Sequence, residues 1–189
     1  WAPLMGESRN RTGTAYALTV LTAILPGHEE KLRQTIESLP LGEDSPLARL
    51  GTIHTSRIQI VDHLVYQGAP QKRDQLRSNY LVFTAAFDGA DLDVFLASIA
   101  DKLPAAADSW WRHCVGYPGL KDRAAFGHWI RHNQLHTSLF AVASPNRSVS
   151  DVVDSLALRE QVLEFAIANQ GVDAVELQKR FRTTFVEGI

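Results

Sequence analysis

The chain has 189 residues, of which 45% are hydrophobic and 21% charged, so it can bury the core of one domain. Its net charge is −2 and it has no basic run, so nucleic acid is not an expected partner, because phosphate binding needs clustered Lys and Arg. It has one cysteine, Cys114, and no stretch of the roughly 20 apolar residues that cross a bilayer. We therefore expect a cytoplasmic protein without disulfides, thiolate metal clusters or a membrane partner.

The alternation of apolar and polar residues predicts four β-strands, and two segments have the periodicity of amphipathic helices. Turn residues such as Pro26-Gly27 and Asp88-Gly89 separate these segments. The predicted strands are Ala15 to Ile24, Arg49 to Asp62, Asn79 to Phe87 and Gln134 to Ala143, and the two helices are His28 to Leu39 and Asp91 to Leu103.

This order of elements is the split βαβ, or ferredoxin-like, arrangement of an α+β fold with a four-stranded antiparallel sheet. Residues 1–14 are polar and lack the apolar core of a signal peptide, so we expect an N-terminal extension. Residues 15–147 are the predicted ferredoxin-like domain, and residues 148–189 are a predicted C-terminal helical extension. Two helices on one side of the sheet leave a largely apolar face, which a second copy or the C-terminal helices would bury.

The C-terminal helices are apolar on more than one stripe, which indicates burial on two sides. We interpret them as oligomer contacts or as a lid over the open sheet face. The residues that form these stripes are Val152, Val153, Leu156, Leu163, Phe165 and Ile167.

With this order of strands and the segment Arg49 to Asp62, the region Ala15 to Ala143 resembles the dimeric α/β-barrel superfamily. That superfamily includes antibiotic-biosynthesis monooxygenases, haem-degrading monooxygenases, chlorite dismutases and dye-decolourising peroxidases. The resemblance implies a homodimer with a cavity between facing sheets, which would take a small aromatic or polyketide-like substrate, or haem. The chain lacks the GxxDG signature of the peroxidases and the Asn-His-Trp set of the haem-degrading group.

His54 and Arg57 are the first candidate catalytic residues, because a purely structural strand would favour apolar or small polar side chains at these positions. His54 is a candidate general base or metal ligand, and Arg57 is a candidate anchor for a substrate carboxylate or a haem propionate. The alternative is a hydrogen-bonded strand histidine and an ion pair at the sheet edge. Regular alternation places the two side chains on opposite faces, so they would share a site only across a bulge or at a twisted strand end.

His136 is the third candidate catalytic residue, on the predicted fourth strand, where Phe140 shares its face. Phe140, with Phe83 of the third strand, is predicted to contact the substrate. The order expected for the sheet puts His54 and His136 on opposite edges, roughly 14 Å apart, too far to bind one metal ion within a subunit.

The segment from Trp110 to Pro118 concentrates aromatic residues beside a histidine and the cysteine. Trp111 and Tyr117 are predicted to line the substrate cavity; the alternative is packing over the sheet edge. Cys114 is interpreted as a buried free cysteine rather than a nucleophile, since no oxyanion motif accompanies it. His128 and His132 have a metal-compatible spacing without a third ligand.

Two functions are consistent with these patterns. The first is a small-molecule enzyme, oxidoreductase-like and with haem as a possible cofactor, that acts on a largely apolar substrate over the open sheet face. The second is a non-catalytic binding or assembly module whose sheet face docks a partner, which the lack of a complete catalytic set favours.

Overall fold

The computed structural model describes residues 9–72, 75–89 and 91–186. The chain divides into two compact units, the first ending at Val149 and the second beginning at Ser150. The strands are β1 (Arg11–Thr12), β2 (Ala15–Ala23), β3 (Ile53–Val61) and β4 (Tyr80–Asp88). The α-helices are α1 (Glu29–Glu37), α2 (Leu92–Lys102), α3 (Pro104–Trp111), α4 (Arg123–His132), α5 (Val149–Ala168) and α6 (Ala174–Phe185).

The first unit is built on an open four-stranded antiparallel sheet in the order β1-β2-β4-β3. β4 pairs antiparallel with both β2 and β3, so these two strands run parallel to each other and are connected through α1. The predicted α+β class and four-stranded antiparallel sheet are therefore confirmed. The three long strands overlap the predicted ones, although Arg49 and Leu50, the predicted start of β3, belong to a 3₁₀ helix. The fourth member of the sheet is the short β1.

The segment predicted as the fourth strand, Gln134 to Ala143, is not a strand, and that prediction is wrong. Its one strand-like pairing is an isolated bridge between Gln134 and Val20, and the side chain of Leu139 is 84% exposed. Alternation alone therefore overestimates the β-structure of this segment.

The outer edge of β2 is completed by three short pieces of chain instead of one long strand. Every second residue from Ala17 to Leu25 has a backbone partner there, so the edge needs no further neighbour. The bonds are Ala17 N to Asn10 O, Leu135 N to Thr19 O, Leu21 N to Asn133 O, Val115 N to Ala23 O and Leu25 N to His113 O.

One face of the sheet carries the hydrophobic core, which packs against the helices of the first unit. Trp110 and Trp111 at the end of α3 are fully buried. The Trp111 ring contacts Phe83 of β4, with ring centroids 5.5 Å apart, and Phe87 stacks on Phe95 of α2 at 3.7 Å. These large rings hold the helices to the sheet.

The other face, which we call the open face, is apolar at most of its positions on β2 and β4, for example at Leu21 and Val82, and polar at a few. Its alternate positions on β2 and β4 are partly exposed, and a row of Thr19, Thr84 and Arg57 crosses it in register. Polar side chains tolerate this exposure, so the row reduces the apolar surface that a cover of the open face would have to bury.

We predict that Trp111→Ala lowers the free energy of unfolding by about 3–5 kcal/mol, because it removes a buried aromatic side chain from the centre of the core. Leu139→Ala is the matched control and should change the free energy by less than about 0.5 kcal/mol. Urea unfolding followed by circular dichroism measures both. A loss of about 2 kcal/mol or more in Leu139→Ala would mean that the segment after Gln134 is packed as a strand.

Candidate functional site

A β-bulge at His54 organises the candidate site. In the pairing of β3 with β4, Ile53 lies opposite Phe87 and Thr55 lies opposite Ala86, so His54 is an extra residue. A bulge redirects side chains and is common beside functional sites. Regular alternation would not have revealed it.

The bulge overturns the expectation that His54 and Arg57 point to opposite sides of the sheet. Arg57 pairs with Thr84, which belongs to the open face. The His54 ring reaches Asp88, which lies on the same face as Thr84 by alternation along β4. Both predicted catalytic residues of β3 therefore belong to the open face.

His54 and Asp88 form a close pair. The distance from His54 Nε2 to Asp88 Oδ1 is 2.6 Å, and the side chains are 25% and 15% exposed. Because a carboxylate accepts hydrogen bonds, Nε2 carries the proton and donates it. The second carboxylate oxygen of Asp88 accepts from the backbone N–H of Val149 at 2.6 Å. Asp88 is thus held at both oxygens and fixes the orientation of the imidazole ring.

A cavity of about 290 Å³ lies beside His54 at the start of β3. Two short 3₁₀ helices, Gly42–Asp44 and Pro46–Leu50, form its wall, and the Ser45 hydroxyl accepts from the backbone N–H of Leu47 at the start of the second. Ser before Pro is a preferred helix start, so the turn signal in the sequence shapes this wall. The lining residues are Leu41, Gly42, Ser45, Leu47, Ala48, Ile53, His54, Thr55 and Ser56.

Trp111, Tyr117 and Phe83, predicted to contact a substrate, lie on the helix-covered side of the sheet. Trp111 and Phe83 are 0% and 1% exposed and contact each other. Tyr117 packs at 5.4 Å from the ring of Trp129, and burial, reinforced by the charge of Asp108, raises the pKa of its phenol. The sheet separates these three residues from His54.

The remaining predicted site residues are not assembled into one group. Arg57 is exposed and makes no ion pair within the described residues. His136 is exposed in irregular chain, and the carbonyl of Phe140 accepts from Thr12 Oγ1 at 2.6 Å. The structure therefore brings His54 and Arg57 to one face and leaves His136 and Phe140 outside any strand.

The structure also brings together two histidines, His28 and His113, that no sequence pattern predicts to be neighbours. The Nδ1 atoms of His28 and His113 lie 3.0 Å apart, although the residues are 85 positions apart in sequence. Burial, followed by the charge of His28, lowers the pKa of His113. No short-range pattern could have signalled this contact, because it depends on the hydrogen bond from Leu25 N to His113 O.

Cys114 is a buried free cysteine, as predicted. The hydroxyl of Thr22 donates to its sulfur at 3.2 Å. Burial raises the pKa of the Cys114 thiol to about 11, and the Thr22 hydrogen bond opposes part of this increase. A neutral buried thiol is a poor nucleophile.

Metal binding has little support in the described part of the chain. No three His, Cys, Asp or Glu side chains there are placed to hold a metal ion. His128 and His132 both lie on α4 and are exposed.

Comparisons with protein-family models, with curated proteins and with solved structures found no match to this chain. Among the described residues, no helix has both the length and the apolar character that a bilayer crossing requires.

We predict that Cys114 reacts with a thiol reagent at pH 8 about 100-fold more slowly in the folded chain than in urea, because the raised pKa reduces the thiolate fraction. Cys114 is the chain's single cysteine, so the signal is unambiguous. Val115→Cys in a Cys114→Ser background, at a position that is 50% exposed, should react rapidly and is the control. Equal rates for the two sites would contradict the burial of Cys114.

We predict that the free energy of unfolding falls as the pH is lowered from about 7 towards 5, in part through His113. Its pKa is lowered in the folded state, so the unfolded chain takes up a proton first and is stabilised as the pH drops below 6.5. His113→Gln should reduce this pH dependence, whereas the exposed His136→Gln should not. Urea titrations at several pH values make the comparison, and identical pH profiles for wild type and His113→Gln would refute it.

Proposed function

We propose that the protein is an enzyme that acts on a small, largely apolar molecule, with His54 as the group that moves the proton. The observation that carries this proposal is the 2.6 Å contact between His54 Nε2 and Asp88 Oδ1 beside a cavity of about 290 Å³. A histidine oriented by a carboxylate is the general-base arrangement that recurs in unrelated enzymes.

The chemistry follows from which nitrogen carries the proton. With Nε2–H bonded to Asp88, the neutral ring presents the Nδ1 lone pair as an acceptor, and within the described residues no protein group bonds to it. After Nδ1 takes a proton from a substrate, the Asp88 carboxylate stabilises the imidazolium. The backbone N–H of Val149 keeps that carboxylate in place throughout.

The cavity suits a small ligand with apolar and polar parts. Its volume is near the lower end of small-molecule sites, which range from about 300 to 1,000 Å³. Leu41, Leu47, Ala48 and Ile53 supply apolar contacts, and hydroxyl groups lie beside them. Arg57 on the open face would anchor a carboxylate of a ligand that extends out of the cavity.

Haem does not fit the residues present. The Nε2 atom of His54 is committed to Asp88, so an iron ligand would be Nδ1, which lies next to the substituted ring carbon and is crowded for a flat macrocycle. Within the described residues, β3 and β4 together contain one histidine, His54. His136 lies outside the sheet.

The oxidative reaction class and the homodimer are part of this proposal and come from the resemblance to the dimeric α/β-barrel superfamily. The cytoplasmic location is proposed as well, because the chain has a single cysteine. The finer, ferredoxin-like description of the fold belongs with them. It is supported by β4 lying between β2 and β3 and by the bridge of Gln134 to Val20 at the expected edge. His54 would supply the proton removal with which a non-haem oxidation begins, and the two electrons would pass to a second substrate, dioxygen.

A ligand screen followed by hydrogen exchange tests the proposal. Small aromatic acids, phenols and β-dicarbonyl compounds are screened by ligand-observed NMR, and each binder is incubated with protein in D₂O. We expect deuterium to enter an acidic C–H position of the ligand with wild-type protein. His54→Gln should slow this exchange by about 100-fold or more. Asp88→Asn should also slow it, because an amide does not stabilise the imidazolium and permits the wrong imidazole tautomer.

His136→Gln is the matched control for the histidine substitution and should leave exchange unchanged, because His136 is exposed and outside the sheet. Ala48→Trp should abolish binding by filling the cavity. Exchange that persists in His54→Gln, or binding that survives Ala48→Trp, would show that the site lies elsewhere.

The alternative is a binding or assembly module, and one observation favours it. The described part of the second unit contains no buried residue, and α5 carries exposed apolar side chains. If charged substitutions on α5 abolish association while His54→Gln changes no measurable reaction, the module is the better description.

A further inference from the structure

The second unit has little core of its own. Phe165 of α5 contacts Phe181 and Phe185 of α6, with ring centroids 6.0 and 5.3 Å apart. Arg180 Nη1 donates to Asn169 Oδ1 at 3.0 Å. None of the described residues from 150 to 186 is buried, so these contacts leave most of the apolar surface of α5 in water.

α5 has two apolar stripes on opposite sides. With 100° of rotation per residue, Leu158 and Val162 lie on the side of Phe165, which packs against α6. The opposite side carries a series separated alternately by three and four residues, which we call the α5 stripe: Val153, Leu156, Glu160, Leu163 and Ile167. The four apolar members are 57%, 56%, 43% and 69% exposed in that order.

We propose that the α5 stripe pairs with the same stripe of a second copy of this chain, with the two helices parallel. Spacing of alternately three and four residues is the seam of a two-helix coiled coil. Val153 and Ile167 occupy one set of seam positions, and Leu156 and Leu163 occupy the other. Among parallel coiled coils, β-branched residues at the first set with Leu at the second favour two strands.

Charge complementarity supports the parallel direction. Arg159 borders one edge of the α5 stripe, and Glu164 borders the other. In a parallel pair these edges face each other, so Arg159 lies beside the partner's Glu164, and the symmetry creates the contact twice. In an antiparallel pair like edges meet, which would bring the arginines together.

Glu160 sets the strength of the association. It is the one charged residue in the seam, and a parallel pair places it against the partner's Glu160. Two facing carboxylates repel each other at neutral pH, while a single polar seam position fixes register and oligomeric state. The expected dimer is therefore modest in affinity and is strengthened when Glu160 is replaced by an apolar residue.

This proposal does not depend on the proposed enzyme, since it involves only residues of the second unit. Sedimentation velocity of the full chain over a range of concentrations should show a reversible monomer–dimer equilibrium. Leu156→Asp and Leu163→Asp should each abolish the dimer, and Glu160→Leu should lower its dissociation constant at least about tenfold. Asp154→Leu, away from the stripe, is the control and should have no effect.

Charge reversal tests the direction of the helices. Arg159→Glu and Glu164→Arg should each weaken the dimer about fivefold, because each makes both edge contacts repulsive. An equimolar mixture of these two variants should associate at least as well as wild type, since the mixed pair restores both contacts. Leu156→Cys in a Cys114→Ser background should form a disulfide-linked dimer on mild oxidation, and Asp154→Cys should not.

Several results would overturn the proposal. One is a chain that remains monomeric at every concentration at which it dissolves. This result would overturn the proposal even if the α5 amides of the monomer are protected from hydrogen exchange. Another is a dimer that is insensitive to Leu156→Asp and Leu163→Asp, as expected for pairing through the sheet. A dimer that depends on these leucines but fails the mixing test would refute the parallel direction.

Discussion

Burial of only one face of the sheet is the constraint on which the first unit depends. Trp110 and Trp111 fill the space between the helices and the inner face, where they contact each other and Phe83. The other face is less buried, and it carries Thr19, Thr84 and Arg57 among apolar residues. The candidate site belongs to this second face, where polar residues cost little.

Much of the fold could be predicted because alternation of apolar residues reports which strand face is buried. That signal places β2, β3 and β4 correctly. It failed for Gln134 to Ala143 because alternation says nothing about whether a neighbouring edge is free. The backbone groups at the edge of β2 are already hydrogen-bonded by the short segments that contain Asn10, Asn133 and His113. No local sequence pattern predicts such an arrangement.

The candidate site was predictable in part. His54 and Arg57 were recognised as unusual strand residues, but their common face depends on one inserted position in the β3–β4 register. From the sequence, Asp88 is predicted only to be a turn residue before Gly89. It lies 34 positions after His54. Pairs of this kind, like His28 and His113, arise from tertiary contacts, and their residue types alone do not predict them.

The bulge has a further consequence, for the solubility of the sheet. β3 is the last strand at its end of the sheet, and such a strand offers backbone groups to any extended chain that approaches it. Natural sheets discourage this contact with an irregular strand and with charge, and His54 and Arg57 supply both here. The bulge at His54, which directs the imidazole ring towards Asp88, thus also makes this edge a poor template for aggregation.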